Sequence, residues 1–502
     1  MPSSSSSLPP APLQGEETQP LLYRPITMLF TLSVHLFYNT ISVNNFSNFP
    51  QTGPTILAFN HGNGLVDAAL LMSTTSPRVL RFCAKDSLWD LPFWGWLVRN
   101  SGAVQVYRPK DHSKEKAAEY NEATFVKCYE ALHRGECLGI APEGVSRFAP
   151  NLAQPLKTGP VRIAMRALEL HKDMPHVQIC PVGITYTHRE KFRSSVLLDF
   201  GEPVLVTRAH VDDGEGGEEQ FHRTARVLTE ELNSKLINEL TIHSPSFAMS
   251  KLAMTATRMQ LPFGTNLSLR KYFAEIQYWT KVLPEDHALV DALTSYQLLL
   301  DEKRVKDERV RRYAIDFEQK RPSSSPRVLL IAYRSVLFAL LSLLSLPGVV
   351  LWSPVWLLIR RWERALLAKG PGWNDSVTEM KMQVGAVISV LMLVVFRTRS
   401  WKVFLFAMVN VRLFEEALAC GRSLLSHFKF YYLFEDTLAE LLRRRRLALT
   451  LMKQHRHLPR EDSERTEIRV WPWENWSIFR RRKKDWNEIL RLHDFNTMDY
   501  FE

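Results

Sequence analysis

The sequence predicts an α/β domain with a central mixed sheet flanked by helices, followed by a helical region with membrane segments. Two observations support this fold class. Up to about residue 240, short apolar runs of strand length alternate with stretches of helical periodicity, which is typical of α/β domains. In the C-terminal half, a segment of twenty-five residues carries no charge, which is long enough for a helix to cross a bilayer.

The elements of the α/β domain follow from this alternation. Helical patterns are clearest at residues 112–133 and 159–171. An apolar stretch at residues 26–38 is too short to span a bilayer, so it predicts an interfacial or half-buried helix that associates with the membrane. Strands are predicted at the apolar runs 55–59, 79–83, 104–107, 137–141, 177–182 and 196–200.

The chain is divided by changes in composition. Residues 1–20 are rich in Ser and Pro and are predicted to be disordered. The remaining boundaries predict an α/β domain at 21–243, a charged helical module at 244–320, a linker at 321–334, a membrane-embedded region at 335–420 and a basic cytosolic region at 421–502.

The membrane-embedded region leaves the number of spans open. Residues 335–359 are the stronger candidate, and Pro347-Gly348 in their middle would allow a kink or a re-entrant hairpin. Residues 382–396 form a weaker candidate. A buried core helix is the alternative for both segments, and basic residues on both flanks leave the orientation undetermined.

The composition and net charge of the chain indicate which partners it could bind. The chain is 45% hydrophobic and 23% charged, as in globular proteins, and its net charge of +11 favours an acidic membrane surface or nucleic acid. The basic, Trp-rich C-terminal region fits anionic headgroups, a solvated helix face or nucleic acid, but it contains no recognisable nucleic-acid-binding module. Five cysteines without CxxC spacing indicate buried thiols in a reducing compartment, not a disulfide framework or a zinc site.

Polar residues follow three of the predicted strands. His61, Arg108 and Glu143 each come directly or nearly directly after an apolar run. Because the carboxyl ends of neighbouring strands meet at one edge of an α/β sheet, we expect these side chains to share a cleft. Each also has a simpler interpretation, as a structural histidine, a surface ion pair or a carboxylate at a helix N-terminus.

Around these residues the chain resembles the phospholipid/glycerol acyltransferase family over about residues 40–240. The family's markers are an Asn-His-x4-Asp motif, a Gly-x5-Arg strand, a Phe-Pro-Glu-Gly turn and an apolar strand that ends in proline. The matching positions are Asn60-His61 with Asp67, Gly102 with Arg108, Pro142-Glu143-Gly144, Pro181, and Lys157-Thr158-Gly159 at the start of the following helix.

Departures from the motifs point to a subgroup. The spacing from His61 to Asp67 is one residue longer than in the common motif, which resembles the fungal-type glycerol-3-phosphate/dihydroxyacetone-phosphate acyltransferases. Tyr296 with Asp307 resembles a module that follows the catalytic domain of those enzymes, and their C-terminal membrane segments also have a counterpart here. Ala141 and Val145 replace the usual residues of the third motif.

The resemblance implies a role for each matched residue. His61 would be the general base that deprotonates the acceptor hydroxyl, and Asp67 would orient its ring and stabilise the imidazolium. No metal or cofactor is implied, because the thioester donor is already activated. The residues implied to shape the site for the acceptor phosphate are Arg108, Glu143, Gly144, Ser146 and Lys157.

The implied function is transfer of a fatty acyl group from acyl-CoA to the sn-1 hydroxyl of glycerol 3-phosphate, or of dihydroxyacetone phosphate. The implied setting is an anionic membrane, the endoplasmic reticulum, with the catalytic domain facing the cytosol, and nucleic acid is not expected as a partner. A lysophosphatidate acyltransferase and a non-catalytic lipid-binding scaffold are the alternatives. The intact His61 and Asp67 argue against the scaffold.

Overall fold

The computed structural model describes residues 20–90, 92–107, 114–211, 217–260, 268–307, 310–311, 324–370, 376–395, 400–432, 435–455 and 466–468. The predicted site residue Arg108 lies outside these ranges, as do residues 1–19 and most of the basic C-terminal region.

A mixed sheet forms the centre of the first domain, which confirms the predicted fold class. Within the described residues, its order is β4-β3-β5-β2-β6-β7-β1-β9, with β8 beside β6. From β4 to β6 neighbouring strands are parallel, whereas β7 and β8 run antiparallel to β6. The strands are β1 (Thr40–Asn44), β2 (Thr55–Phe59), β3 (Leu80–Lys85), β4 (Val104–Val106), β5 (Cys137–Ile140), β6 (His176–Tyr186), β7 (Ser195–Phe200), β8 (Val204–Thr207) and β9 (Thr466–Ile468).

Helices cover both faces of this sheet because alternate residues of each strand point to opposite sides. Ile56 and Ala58 of β2 pack with α4, α5 and α6, whereas Leu57 and Phe59 pack with α1 and α2. The helices of this domain are α1 (Tyr23–Phe37), α2 (Leu65–Thr75), α3 (Pro92–Asn100), α4 (Lys114–His133), α5 (Gly159–Leu170) and α6 (Gly217–Lys235).

Each of the six predicted strands is present, but several bounds differ. The largest difference is in β6, which continues to Tyr186, beyond the predicted end at 182. Its second half is held by antiparallel pairing with β7, an interaction that a local apolar run does not reveal. For the same reason the prediction lacks three strands: β1 and β9, which pair with each other, and β8, which pairs with β6.

Helix α1 is half-buried. Ile26, Val34 and Phe37 lie in the interior, whereas Met28 and Leu32 are exposed apolar residues. This division fits the predicted interfacial helix, and its association with a membrane stays a prediction.

The helical module has a core of its own. It contains α7 (Phe247–Gln260), α8 (Leu269–Val282), α9 (His287–Lys303) and α13 (Glu435–Met452), packed around the buried Trp279. The module contacts the sheet through Leu197 of β7, and Arg270 pairs with the fully buried Asp199 at 2.5 Å. Because α13 is part of this core, residues 435–452 do not belong to a separate C-terminal region.

Between α9 and α13 lie α10 (Ser324–Leu367), α11 (Val377–Val395) and α12 (Ser400–Tyr432). Helices α10 and α12 pack antiparallel, and the backbone N–H of Gly348 donates to Asn410 Oδ1 at 3.2 Å. Within the described ranges, one helix, which includes Ile331–Leu367, is long and apolar enough to cross a membrane by length and composition.

The predicted linker and one predicted domain boundary of this region differ in the structure. Most of the predicted linker, from Ser324 onward, forms the first turns of α10, where Pro326 is tolerated because the first N–H groups of a helix have no intrahelical partner. Pro347 lies inside α10 without ending it. Helix α12 continues across the predicted boundary at residue 420.

A buried ion pair joins the segment after α9 to α13. Asp307 Oδ1 accepts a hydrogen bond from the Tyr296 hydroxyl at 2.6 Å and one from Arg445 Nε at 2.7 Å. All three residues are buried. The Tyr296…Asp307 pattern is therefore part of a structural network, and its third member comes from a run of four arginines, Arg443–Arg446, far along the chain.

This network predicts a large effect on stability. Asp307→Asn should lower the free energy of unfolding by about 3–5 kcal/mol, because it leaves the Arg445 charge buried without compensation. Tyr296→Phe should cost about 1–2 kcal/mol, because one hydrogen bond to a charged group is lost. The measurement is denaturant unfolding in detergent, followed by tryptophan fluorescence.

The matched control is Glu302→Gln on the exposed face of α9, which should change the free energy by less than about 0.5 kcal/mol. An Asp307→Asn variant as stable as this control would contradict the structural role of the ion pair.

Candidate active site

His61 and Asp67 form a hydrogen-bonded pair at the carboxyl edge of the sheet. His61 follows β2, and Asp67 lies in the first turn of α2. His61 Nδ1 is 2.9 Å from Asp67 Oδ2. The chain between them turns at Gly64, whose φ of 50° is a conformation that favours glycine. This turn accommodates the longer spacing between the two residues.

Asp67 is fully buried, and its carboxylate accepts further hydrogen bonds. The backbone N–H of Asn63 donates to Oδ2 at 2.9 Å, and the Tyr186 hydroxyl donates to Oδ1. Burial, together with the charge of Asp67, raises the pKa of Tyr186 well above its ordinary value, so this hydroxyl keeps its proton and remains a donor. The N-terminus of α2 also favours a negative charge at this position.

These contacts determine which ring nitrogen of His61 is available. A carboxylate only accepts hydrogen bonds, so Nδ1 carries the proton and Nε2 is left with its lone pair. Nε2 has no hydrogen-bond partner within the described ranges, and 24% of the His61 side chain is exposed. The exposed nitrogen is the one that can accept a proton.

Glu143 holds the loop that carries His61. It follows β5, the parallel neighbour of β2, so the two residues emerge at the same edge. Its Oε1 accepts the backbone N–H of His61 and its Oε2 accepts the backbone N–H of Ala153, both at 2.9 Å. Both carboxylate oxygens are thus bound, and only 6% of the residue is exposed. Glu143 therefore connects the loop that contains His61 to the loop that contains Ala153.

The other residues of the third motif pack against the same loop. Ser146 Oγ accepts the backbone N–H of Gly64 at 3.2 Å, and the N–H of Arg147 donates to the His61 carbonyl at 3.0 Å. Gly144 has a φ of 69°, and Lys157 lies where a Cβ at this position would stand. Lys157 is exposed, so its amino group can meet a ligand.

Two residues of this site were missed in the sequence. Tyr186 lies at the end of β6, beyond the predicted strand. Arg189 Nη1 donates to the Gly62 carbonyl at 2.7 Å, and its guanidinium lies over the Phe148 ring at 4.1 Å. A tyrosine at the end of a strand beside two predicted catalytic loops is the signal that would have identified Tyr186.

Within the described residues, the side chains of this site do not form a cluster of three that could hold a metal ion. The oxygens of Asp67 and Glu143 are occupied by N–H and O–H donors. One cluster of three side chains is close enough to hold a metal ion, but it lies at the C-terminal ends of α4 and α5. Its members are His133, His171 and Asp173.

Comparison with known families covers both regions of the chain. Residues 40–185 match the family described as Acyltransferase. Residues 248–364 match the family described as Glycerol-3-phosphate acyltransferase 2 C-terminal domain. The second match includes most of the helical module and much of α10.

Similar proteins include two from Saccharomyces cerevisiae. Glycerol-3-phosphate O-acyltransferase 2 is 29% identical over 251 residues, which are 48% of this chain and 32% of that protein. Glycerol-3-phosphate O-acyltransferase 1 is 22% identical over 494 residues, which are 78% of this chain and 64% of that protein. The chain thus spans less than two thirds of the length of these curated relatives.

A solved structure also resembles this chain. It is the 1-acyl-sn-glycerophosphate acyltransferase of Thermotoga maritima, at 19% identity and a TM-score of 0.30, covering 42% of this chain and 79% of that one. The family assignment rests on the two family matches and the yeast relatives. The match to the acyltransferase family, followed by the match to the glycerol-3-phosphate acyltransferase 2 C-terminal domain, confirms the resemblance of this chain to the fungal-type glycerol-3-phosphate acyltransferases.

Proposed function

We propose that this chain is a membrane-bound enzyme that transfers a fatty acyl group from acyl-CoA to the sn-1 hydroxyl of glycerol 3-phosphate, dihydroxyacetone phosphate, or both. The reaction would be the first step of glycerolipid synthesis. The observation that supports it best is the His61–Asp67 pair, with Nδ1 bound to a buried carboxylate and Nε2 without a partner within the described ranges. Two yeast relatives named as glycerol-3-phosphate O-acyltransferases support the choice of acceptor.

The pair suggests a sequence of proton transfers. Nε2 of His61 takes the proton of the acceptor hydroxyl as its oxygen attacks the thioester carbonyl. Asp67 stabilises the imidazolium that forms. The tetrahedral intermediate then collapses, the carbon–sulfur bond breaks, and the CoA thiolate leaves with the proton returned by His61.

Positive charge close to Gly144 fits an acceptor with a phosphate. Lys157 presents an exposed amino group next to Gly144. Arg108, which follows β4 in the sequence, is proposed as a second phosphate ligand, because a guanidinium can bind a phosphate through two parallel hydrogen bonds.

Exposed apolar surface supports the membrane setting. Helix α10 exposes large side chains such as Val336, Leu343 and Leu357, and α1 exposes Met28 and Leu32. Burying such surface in a bilayer is favourable. We place the enzyme at an anionic membrane, the endoplasmic reticulum, with its catalytic domain in the cytosol.

A competition assay tests the proposed acceptor. Purified protein receives glycerol 3-phosphate and 1-acyl-glycerol 3-phosphate at equal concentrations, together with one labelled acyl-CoA, and products are separated by thin-layer chromatography. We expect 1-acyl-glycerol 3-phosphate to form faster than phosphatidate. Its formation should fall by about 10²–10⁴ in His61→Ala, because the general base is lost, but not in His222→Ala, which removes a histidine on α6 far along the chain.

Phosphatidate as the main product, with glycerol 3-phosphate unchanged, would instead support a lysophosphatidate acyltransferase. If neither product forms, the result would support a non-catalytic scaffold. A second assay, with dihydroxyacetone phosphate as the acceptor, measures whether that substrate is also used.

Tyr186 is predicted to position Asp67. Tyr186→Phe removes a hydrogen bond to the buried carboxylate, so kcat should fall by about tenfold while KM for the acceptor changes little, because the hydroxyl contacts Asp67 and not the substrate. The control is Tyr278→Phe in the helical module, whose hydroxyl donates to the His455 carbonyl. Equal kcat values for the two variants would contradict this role.

A further inference from the structure

A groove of about 500 Å³ lies along strand β4, at the edge of the sheet as described, and helix α4 forms its other wall. We call it the β4 groove. It is separate from the His61–Asp67 pair, because β3 and β5 lie between β4 and β2. Its chemically distinctive lining residues are Arg81, Trp89, Tyr107, Tyr120, Lys127 and Arg134.

The β4 groove carries an excess of positive charge. Arg81 and Arg134 both bind the same carboxylate, that of the fully buried Glu136, with Arg134 Nε 3.0 Å from Oε1 and Arg81 Nη2 3.2 Å from Oε1. Burial raises the pKa of Glu136, but the hydrogen bonds from the two guanidinium groups outweigh it and lower that pKa. One carboxylate therefore serves two cations.

Lys127 adds a third cation. It is exposed, and its amino group has no ion-pair partner within the described ranges. Glu130 also lines the groove and is the second carboxylate there. Three cations thus face two carboxylates, and the groove favours an anionic ligand.

Aromatic rings lie in the same groove. Tyr107 at the carboxyl end of β4 and Tyr120 of α4 have ring centroids 4.9 Å apart. Tyr120 is 46% exposed, so one of its faces is open to a flat ligand. Cations are sufficient to bind a phosphate, whereas aromatic rings add a surface on which a purine base stacks. The combination favours a phosphorylated nucleotide over a lipid headgroup.

We propose that the β4 groove binds the phosphorylated adenine nucleotide of the CoA thioester donor. Adenine stacks on Tyr120, and the phosphates lie beside Lys127 and the guanidinium of Arg134. This proposal rests on the proposed function, which supplies the donor. Strand β4 lies three strand spacings, about 14 Å, from β2. The extended pantetheine arm of CoA would cross this distance and bring the thioester to His61.

The test measures binding and kinetics separately. Adenosine 3′,5′-bisphosphate, the nucleotide end of CoA without the arm, is titrated calorimetrically into the full-length protein in detergent. Lys127→Glu and Tyr120→Ala should each weaken binding by about tenfold, and Tyr120→Phe should bind like the wild type because the ring is retained. Both positions are exposed, so neither change disturbs the core. The matched control is Lys172→Glu, an exposed lysine between α5 and β6, which should bind normally.

In the acyl-transfer assay, Lys127→Glu should raise KM for acyl-CoA by about fivefold or more and leave kcat and KM for the acceptor unchanged. His61→Ala should still bind the bisphosphate, since the groove is separate from the catalytic pair. If the bisphosphate binds but no acyl product forms in any variant, the proposed function fails and the groove remains a nucleotide site.

Other outcomes overturn the proposal. Unchanged binding and unchanged KM in both Lys127→Glu and Tyr120→Ala would show that the donor nucleotide binds elsewhere. Equal displacement of the bisphosphate by phosphatidate-containing vesicles and by CoA would show a general phosphate site that serves lipid headgroups. If Lys172→Glu weakens binding of the bisphosphate as much as Lys127→Glu does, the effect is a non-specific effect of charge.

Discussion

The site depends on one fully buried carboxylate at the N-terminus of α2. An isolated buried charge costs several kcal/mol unless hydrogen-bond donors surround it. Asp67 obtains those donors from three places: the ring of His61, the backbone N–H of Asn63 and the hydroxyl of Tyr186. Because these groups come from the loop after β2 and from the end of β6, satisfying Asp67 fixes both segments. It also fixes the tautomer of His61, on which proton transfer from an alcohol depends.

The same loop is tied to the helices that follow the sheet. Arg189 donates to the Gly62 carbonyl, and its own carbonyl accepts a hydrogen bond from the Thr378 hydroxyl of α11 at 3.2 Å. Nearby, Arg193 forms an ion pair with Glu415 of α12. The connection between β6 and β7 therefore links the His61 loop to α11 and α12. If those helices shift in a bilayer, the hydrogen bonds of Arg189 would transmit the shift to the His61 loop.

Local patterns were sufficient where local physics decides the structure. The apolar run before His61 predicted β2, and the proximity of His61 and Glu143 followed from the geometry of parallel strands. The pairing of His61 with Asp67 followed from the resemblance to the acyltransferase motif. Contacts between distant segments were not predictable in this way. The extent of β6 to Tyr186 depends on its pairing with β7, and Glu143 binds backbone N–H groups that no side-chain pattern reveals. Arg445 lies in a run of four arginines, and only packing against Asp307 distinguishes it from Arg443 and Arg446, which are exposed.

The central claim is that Asp67 promotes acyl transfer through His61, and a double-mutant cycle on kcat/KM tests it most directly. The cycle compares the wild type with His61→Ala, Asp67→Asn and the double variant, using glycerol 3-phosphate and acyl-CoA. If the two residues act as one unit, each single change should lower kcat/KM by about 10² or more, and the double variant should be no slower than His61→Ala. Additive losses, with the double variant slower by the product of the two single effects, would contradict the account.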